Sequence, residues 1–125
     1  MPGLRDAPFR LLGLGAVAAL LRWAGLLAAS GLPALVLPLQ ALHGLTFGAT
    51  QLGVMAALSR LAPEGARGAA QGTSAACAAL ASASATLASG VAYRAGGGSL
   101  AFGLMLPVAG LGLALTLAAS HRSRC

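Results

Sequence analysis

An all-α integral membrane protein with four transmembrane helices is the architecture this sequence predicts. Three observations carry that expectation. Of the 125 residues, 58% are hydrophobic and 8% charged, against about 25% charged in an average soluble domain. Breakers divide the chain into four apolar segments, each near the roughly 20 residues a helix needs to cross a hydrocarbon core of about 30 Å. None of the segments alternates with a period of two, and each is too long for a barrel strand.

Residues 1–7 form a short lead ahead of the first segment. That segment, 8–29, reads PFRLLGLGAVAALLRWAGLLAA and stops at Ser30-Gly31, with Pro33 just beyond. A basic cluster before an apolar run also opens a signal peptide, but this run is long, Arg22 interrupts it, and no cleavage-type site precedes a soluble domain. The second segment, 32–61, contains Pro38 and ends at Arg60, before Pro63-Glu64-Gly65. The third, 66–92, is almost wholly Ala, Ser, Gly and Thr. So smooth a helix lets other backbones approach closely and calls for neighbours on more than one face. The fourth, 99–119, follows the turn Gly96-Gly97-Gly98 and contains Pro107. Residues 120–125 remain as a basic tail. Together the four segments make one transmembrane region, 8–119.

The net charge of +6 comes entirely from arginine. In a soluble protein that balance raises nucleic-acid binding, but here the arginines stand singly at helix ends, where they read as topological signals. No nucleic-acid partner is expected. Arg5 precedes the first segment and Arg10 stands at its start, Arg60 and Arg67 flank the second turn, and Arg122 and Arg124 follow the fourth segment. An even number of crossings puts all of them on one side, which the positive-inside rule makes cytoplasmic. The expected location is therefore a bacterial cytoplasmic (inner) membrane with both termini inside and only Arg94 opposite. Cys77 and Cys125 have neither metal-like nor redox-like spacing. There is no Walker-type glycine loop, no metal-ligand cluster and no nucleophile–base arrangement. The chain does not read as an enzyme, and no cofactor or metal is expected.

Arg22 is the most informative residue. A guanidinium keeps its proton, so at bilayer depth it needs an anion, water or carbonyl oxygens around it. The chain has two acidic residues, Asp6 and Glu64, both in predicted loops. The counter-charge must come from a bound solute, another chain, or further helices of the same protein. On the second segment, Gln40, His43, Phe47 and Thr50/Gln51 recur at spacings of three and four, with Thr46 nearby, and so share a face. Such a polar face belongs toward a protein interior or a water-filled cavity. Two readings stand side by side. Gln40, His43 and Gln51 serve as interhelical hydrogen-bond glue, or they join Arg22 in a site for an anionic or polyhydroxyl solute, with imidazole exchanging a proton. Gln71, in GAAQGTSAA, faces a neighbouring helix or the same ligand. Trp23 reads as packing or as a stacking platform, Tyr93 as an interfacial belt residue, and His121 as a solvated tail residue.

Nearly the whole chain, about 9–118, resembles the last four helices of a major facilitator superfamily transporter. The resemblance rests on Arg22-Trp23, on the run QALHGLTF from Gln40 to Phe47, on Gln71, and on Ser89-Gly90-Val91-Ala92-Tyr93, in order and at matching separations. The nearest branch looks like the phenylpropionate-permease-type proteins, in the neighbourhood of lactose permease. The resemblance implies a twelve-helix fold in two halves with alternating access around a central cavity. This chain would then supply helices 9–12 and meet the earlier helices of the same transporter. It further implies that Arg22 and His43 match an arginine and a histidine tied to proton coupling in lactose permease. Gln40 and Thr46 depart from that relative's lysine and carboxylate, so its sugar specificity does not carry over.

The function expected is therefore that of the C-terminal part of a secondary active transporter, coupling protons to uptake of a small organic anion or related solute. Its candidate substrate-binding or proton-coupling residues are Arg22, Gln40, His43, Thr46, Gln51 and Gln71. Its partners are membrane lipid, the solute, protons and the remaining helices. Two alternatives stay open: a self-contained four-helix membrane protein that oligomerises, and a truncated transporter product without activity.

Overall fold

A computed structural model describes residues 7–29 and 32–122 of the chain. It is all-α, with α1 at Ala7–Ala28, α2 at Pro33–Leu61 and α3 at Arg67–Arg122. All three are long and apolar enough to cross a membrane. Arg5, Asp6, Ser30, Gly31, Arg124 and Cys125 lie outside the described residues.

The boundaries follow from backbone chemistry. Pro33 occupies the first turn of α2, where its missing N–H and fixed φ cost nothing. At the other end Ala62 is extended (φ −72°, ψ 138°) and its N–H donates to the Leu58 carbonyl at 3.0 Å. Pro63 follows it, and the residue before a proline is pushed out of the helical region. The chain then turns at Gly65, whose φ of +81° suits a residue without Cβ.

Four separate helices are expected from the sequence, and here the structure corrects the count. The turn expected between 92 and 99 does not separate two elements: α3 runs for 56 residues, and only Gly96 (φ −148°, ψ 19°) and Gly97 (φ 68°, ψ −164°) leave helical geometry. Tyr93, Arg94 and Ala95 stay helical, the helix resumes at Gly98, and it extends to Arg122. One residue in a conformation open essentially only to glycine interrupts the helix without a loop. A straight helix of that length would span about 84 Å, far more than a bilayer. It is best described as two limbs, 67–95 and 98–122.

α1 is the central helix. Its buried residues, Gly15, Ala18, Arg22 and Leu26, repeat at intervals of three and four and form one stripe. α1 packs against both α2 and α3, which touch each other little. The antiparallel fit of α1 on α2 is set by glycines. A Cβ on Gly15 would meet the Thr46 carbonyl oxygen and the Thr50 nitrogen, each at 3.2 Å, and one on Gly53 would meet the Leu12 nitrogen at 3.1 Å. Backbones come this close in lipid only where side chains are small. Elsewhere the helices present leucines outward, Leu37, Leu80, Leu87 and Leu115 among them. Apolar residues all round a helix need lipid or more helices as their solvent.

Candidate functional site

Arg22 lies fifteen residues into α1 and six before its end, so about 22 Å and 9 Å from the two ends of the helix. It is only 8% exposed. A central arginine costs about 2.5–3.5 kcal/mol on insertion scales, and a leucine returns about 0.3–0.6. The seven leucines of α1 therefore offset the arginine and little more. Such a residue needs favourable contacts from its neighbours.

Two contacts engage it. Arg22 Nη1 donates a hydrogen bond to His43 Nδ1 on α2. Its Cζ also stands 4.2 Å from the centroid of the Trp23 ring, within the range of a cation–π interaction. Trp23 in turn meets Phe102 of α3, centroids 6.1 Å apart and rings tilted by 33°. The pair Arg22–Trp23 thus ties α1 to α2 through the imidazole and to α3 through the aromatic ring. Arg22 Nε is buried without a hydrogen-bond partner. Among the described residues the only carboxyl side chain is Glu64, in the turn between α2 and α3.

The other residues singled out from the sequence divide among separate surroundings. Gln40, exposed and one turn before His43, lines a cavity of about 430 Å³ with Leu26, Tyr93, Ser99 and Phe102. Gln51 and Gln71 come together from α2 and α3, lining a second cavity of about 280 Å³ with Thr50 and Ser74. From Gln40 to Gln51 is eleven residues, or about 16 Å along the helix, so one ligand of modest size does not touch both. The Thr46 hydroxyl donates to the Leu42 carbonyl of its own helix at 2.9 Å. The His43 ring meets Phe47, centroids 6.3 Å apart. A third, apolar cavity of about 540 Å³ lies between Gly25 and Ala28 of α1 and Leu35, Pro38 and Leu39 of α2. Cys77 is exposed and free, and His121 lies in the last turn of α3.

Sequence reasoning missed Phe102, one aromatic among the leucines of the fourth segment. A signal existed only in its place, five residues after the glycine that breaks α3. Tyr93, expected at the interface, stands on the wall of the Gln40 cavity.

Chemically, the described helices bring together one guanidinium and one imidazole joined by a hydrogen bond, with separate cavities lined in part by amides and hydroxyls.

No curated protein and no solved structure matches the chain. The model of the MFS_1 like family matches residues 7–104, a stretch that takes in all of α1 and α2, the break in α3, and every residue of the arginine–histidine–aromatic cluster. This is an integral membrane protein, and the chain belongs to the MFS_1 like family of the major facilitator superfamily.

Proposed function

We propose that the chain is the C-terminal part of a secondary active transporter, supplying the last four of twelve helices and coupling protons to the uptake of a small organic anion. The observation that carries this reading is Arg22: a buried guanidinium whose hydrogen-bond partner is an imidazole rather than a carboxylate, and whose Nε has no partner. Interhelical glue does not require a full charge, whereas a guanidinium makes strong charge-assisted hydrogen bonds to an anion. The two limbs of α3, parted at Gly96 and Gly97, serve as separate crossings. Four crossings then bring Arg10, Arg60, Arg67 and Arg122 to the cytoplasmic face of a bacterial inner membrane, with Arg94 outside. The outward leucines of the first limb of α3 are covered by the earlier helices of the same transporter, in a phenylpropionate-permease-like arrangement. Rocking of that half against this one gives alternating access.

The test is uptake by the full-length parent transporter, with radiolabelled 3-phenylpropionate as the first probe. Arg22→Ala and His43→Ala are each expected to abolish uptake while the protein reaches the membrane at its normal level. Normal uptake in both variants removes these residues from the transport path and overturns the reading.

A further inference from the structure

The hydroxyls of Thr46, Ser59, Ser84, Thr86 and Thr116 each donate to the carbonyl four residues back on their own helix. Ser99 makes no such bond. The carbonyl four residues back belongs to Ala95, and the non-helical Gly96 and Gly97 stand between the two. The break in α3 thus leaves a free hydroxyl on the wall of the cavity of about 430 Å³. Two further polar groups line that cavity, the Gln40 amide of α2 and the Tyr93 phenol of the first limb of α3. Neither has a hydrogen-bond partner among the described residues. Within a membrane protein such groups need water or a polar ligand as their partner.

Gly98 sets the shape of the space. A Cβ there would lie 3.4 Å from Phe102 Cε2 and 3.9 Å from Tyr93 Cε2, so one carbon in that place touches both rings at ordinary contact distance. The missing side chain leaves room beside two aromatic edges, and a flat ring that fills it gains the contacts aromatic pairs favour. Leu26 and Val36 add apolar wall. No charged side chain among the described residues lines the cavity. A carboxylate or ammonium entering it would lose water without gaining a counter-charge.

We infer that this cavity is a second binding site, separate from the Arg22–His43 pair, for an uncharged aromatic compound carrying one hydroxyl. The ring lies beside Tyr93 and Phe102, and the hydroxyl exchanges hydrogen bonds with Gln40 and Ser99, each of which can donate and accept. A mostly apolar cavity with a few convergent polar groups, set between helices, is the usual form of a small-molecule site. Its walls belong to α2 and to both limbs of α3, so an occupant favours the bent course of α3 over a straight one. The site uses neither Arg22 nor His43, and the inference stands whether or not uptake depends on that pair.

The test uses the 125-residue chain in lipid nanodiscs, with radiolabelled p-cresol as the probe and empty nanodiscs to subtract partition into lipid. Saturable binding is expected. Uptake no greater than into empty nanodiscs means that water alone fills the cavity, and overturns the inference. Toluene, which lacks the hydroxyl, is expected to compete about fivefold more weakly, the worth of one neutral hydrogen bond; equal competition removes the polar contacts. The anion p-toluate is expected not to compete. Competition by p-toluate stronger than that of p-cresol itself makes the cavity an annexe of Arg22 and overturns its separateness. Gly98→Ala puts a methyl group against both rings without backbone strain, since φ there is not positive, and about a tenfold loss of affinity is expected. Gly103→Ala, which faces open space and does not line the cavity, is expected to bind normally. Matching Trp23 emission in both variants and the parent chain shows that folding is retained. Equal affinity in the two variants, or hydrogen exchange across 95–99 that p-cresol does not slow, places the ligand elsewhere and overturns the assignment.

Discussion

Gly15 of α1 stands against Thr50 of α2 with no room for a side chain: a methyl group there would meet the Thr50 nitrogen and the Thr46 carbonyl oxygen, each at 3.2 Å. The crossing fixes the antiparallel register seven residues before Arg22, and so determines whether the guanidinium reaches His43. Gly15→Ala is expected to destabilise the fold by about 1–3 kcal/mol, the usual cost of overpacking. Gly13→Ala, where nothing lies within 4 Å of the added carbon, is expected to be neutral or slightly stabilising. Trp23 is the sole tryptophan, so its fluorescence during unfolding in mixed micelles reads both variants. Equal stability of the two means that the close approach is not essential to packing.

The Arg22–His43 bond is expected to appear as a coupling energy. A double-mutant cycle of Arg22→Gln and His43→Gln, followed by the same fluorescence, should give about 1.5–3 kcal/mol, the range for a hydrogen bond to a charged group. Each single variant strands a buried partner or removes the charge, so only the cycle isolates the pair. A coupling near zero makes the two residues neighbours without a bond.

Much of this site was legible in the sequence because charge is so rare in it. Arg22 stands out as a lone cation in an apolar run, and His43 as the imidazole of the one polar stripe. Their direct contact was not legible, since it depends on the register between two helices, and that register rests on which glycines face a neighbour: Gly15 and Gly53 do, whereas Gly44 and Gly48 have open space. The shared stripe of Gln40, His43 and Gln51 was real as periodicity, yet the two glutamines line different cavities. A face on a helical wheel ignores the distance along the axis. The glycine triplet was legible as a break, but its short extent was not, because only Gly97 needs a positive φ.

Thr46 was marked with the site by its position in the polar stripe. Its hydroxyl is satisfied by the Leu42 carbonyl at 2.9 Å, the back-bonding that Ser and Thr favour inside helices. Thr46→Val keeps the shape and removes a bond made within one helix. It is expected to change stability by less than about 1 kcal/mol and to leave uptake in the parent transporter within twofold of normal. Loss of uptake comparable with that of His43→Ala gives the Thr46 hydroxyl a role beyond its own helix.

Gly97 is the residue on which the course of α3 turns. Its φ of 68° and ψ of −164° fall in a region that costs a residue with a Cβ about 1–3 kcal/mol. Gly96, at φ −148°, pays no such penalty, although a Cβ there would meet the Leu100 Cβ at 2.9 Å. Gly97→Ala is therefore expected to lower stability by about 1–3 kcal/mol or to shift the limbs toward a straight helix. Topology separates these outcomes. With Cys77 and Cys125 replaced by serine, Ala95→Cys and His121→Cys report the two limbs to an impermeant maleimide added from either side. Labelling from opposite faces supports one crossing per limb, and Gly97→Ala is expected to blur that separation or to deplete the protein from the membrane. Labelling of both positions from the same face leaves three crossings and removes the four-helix arrangement on which the placement of Arg94 depends.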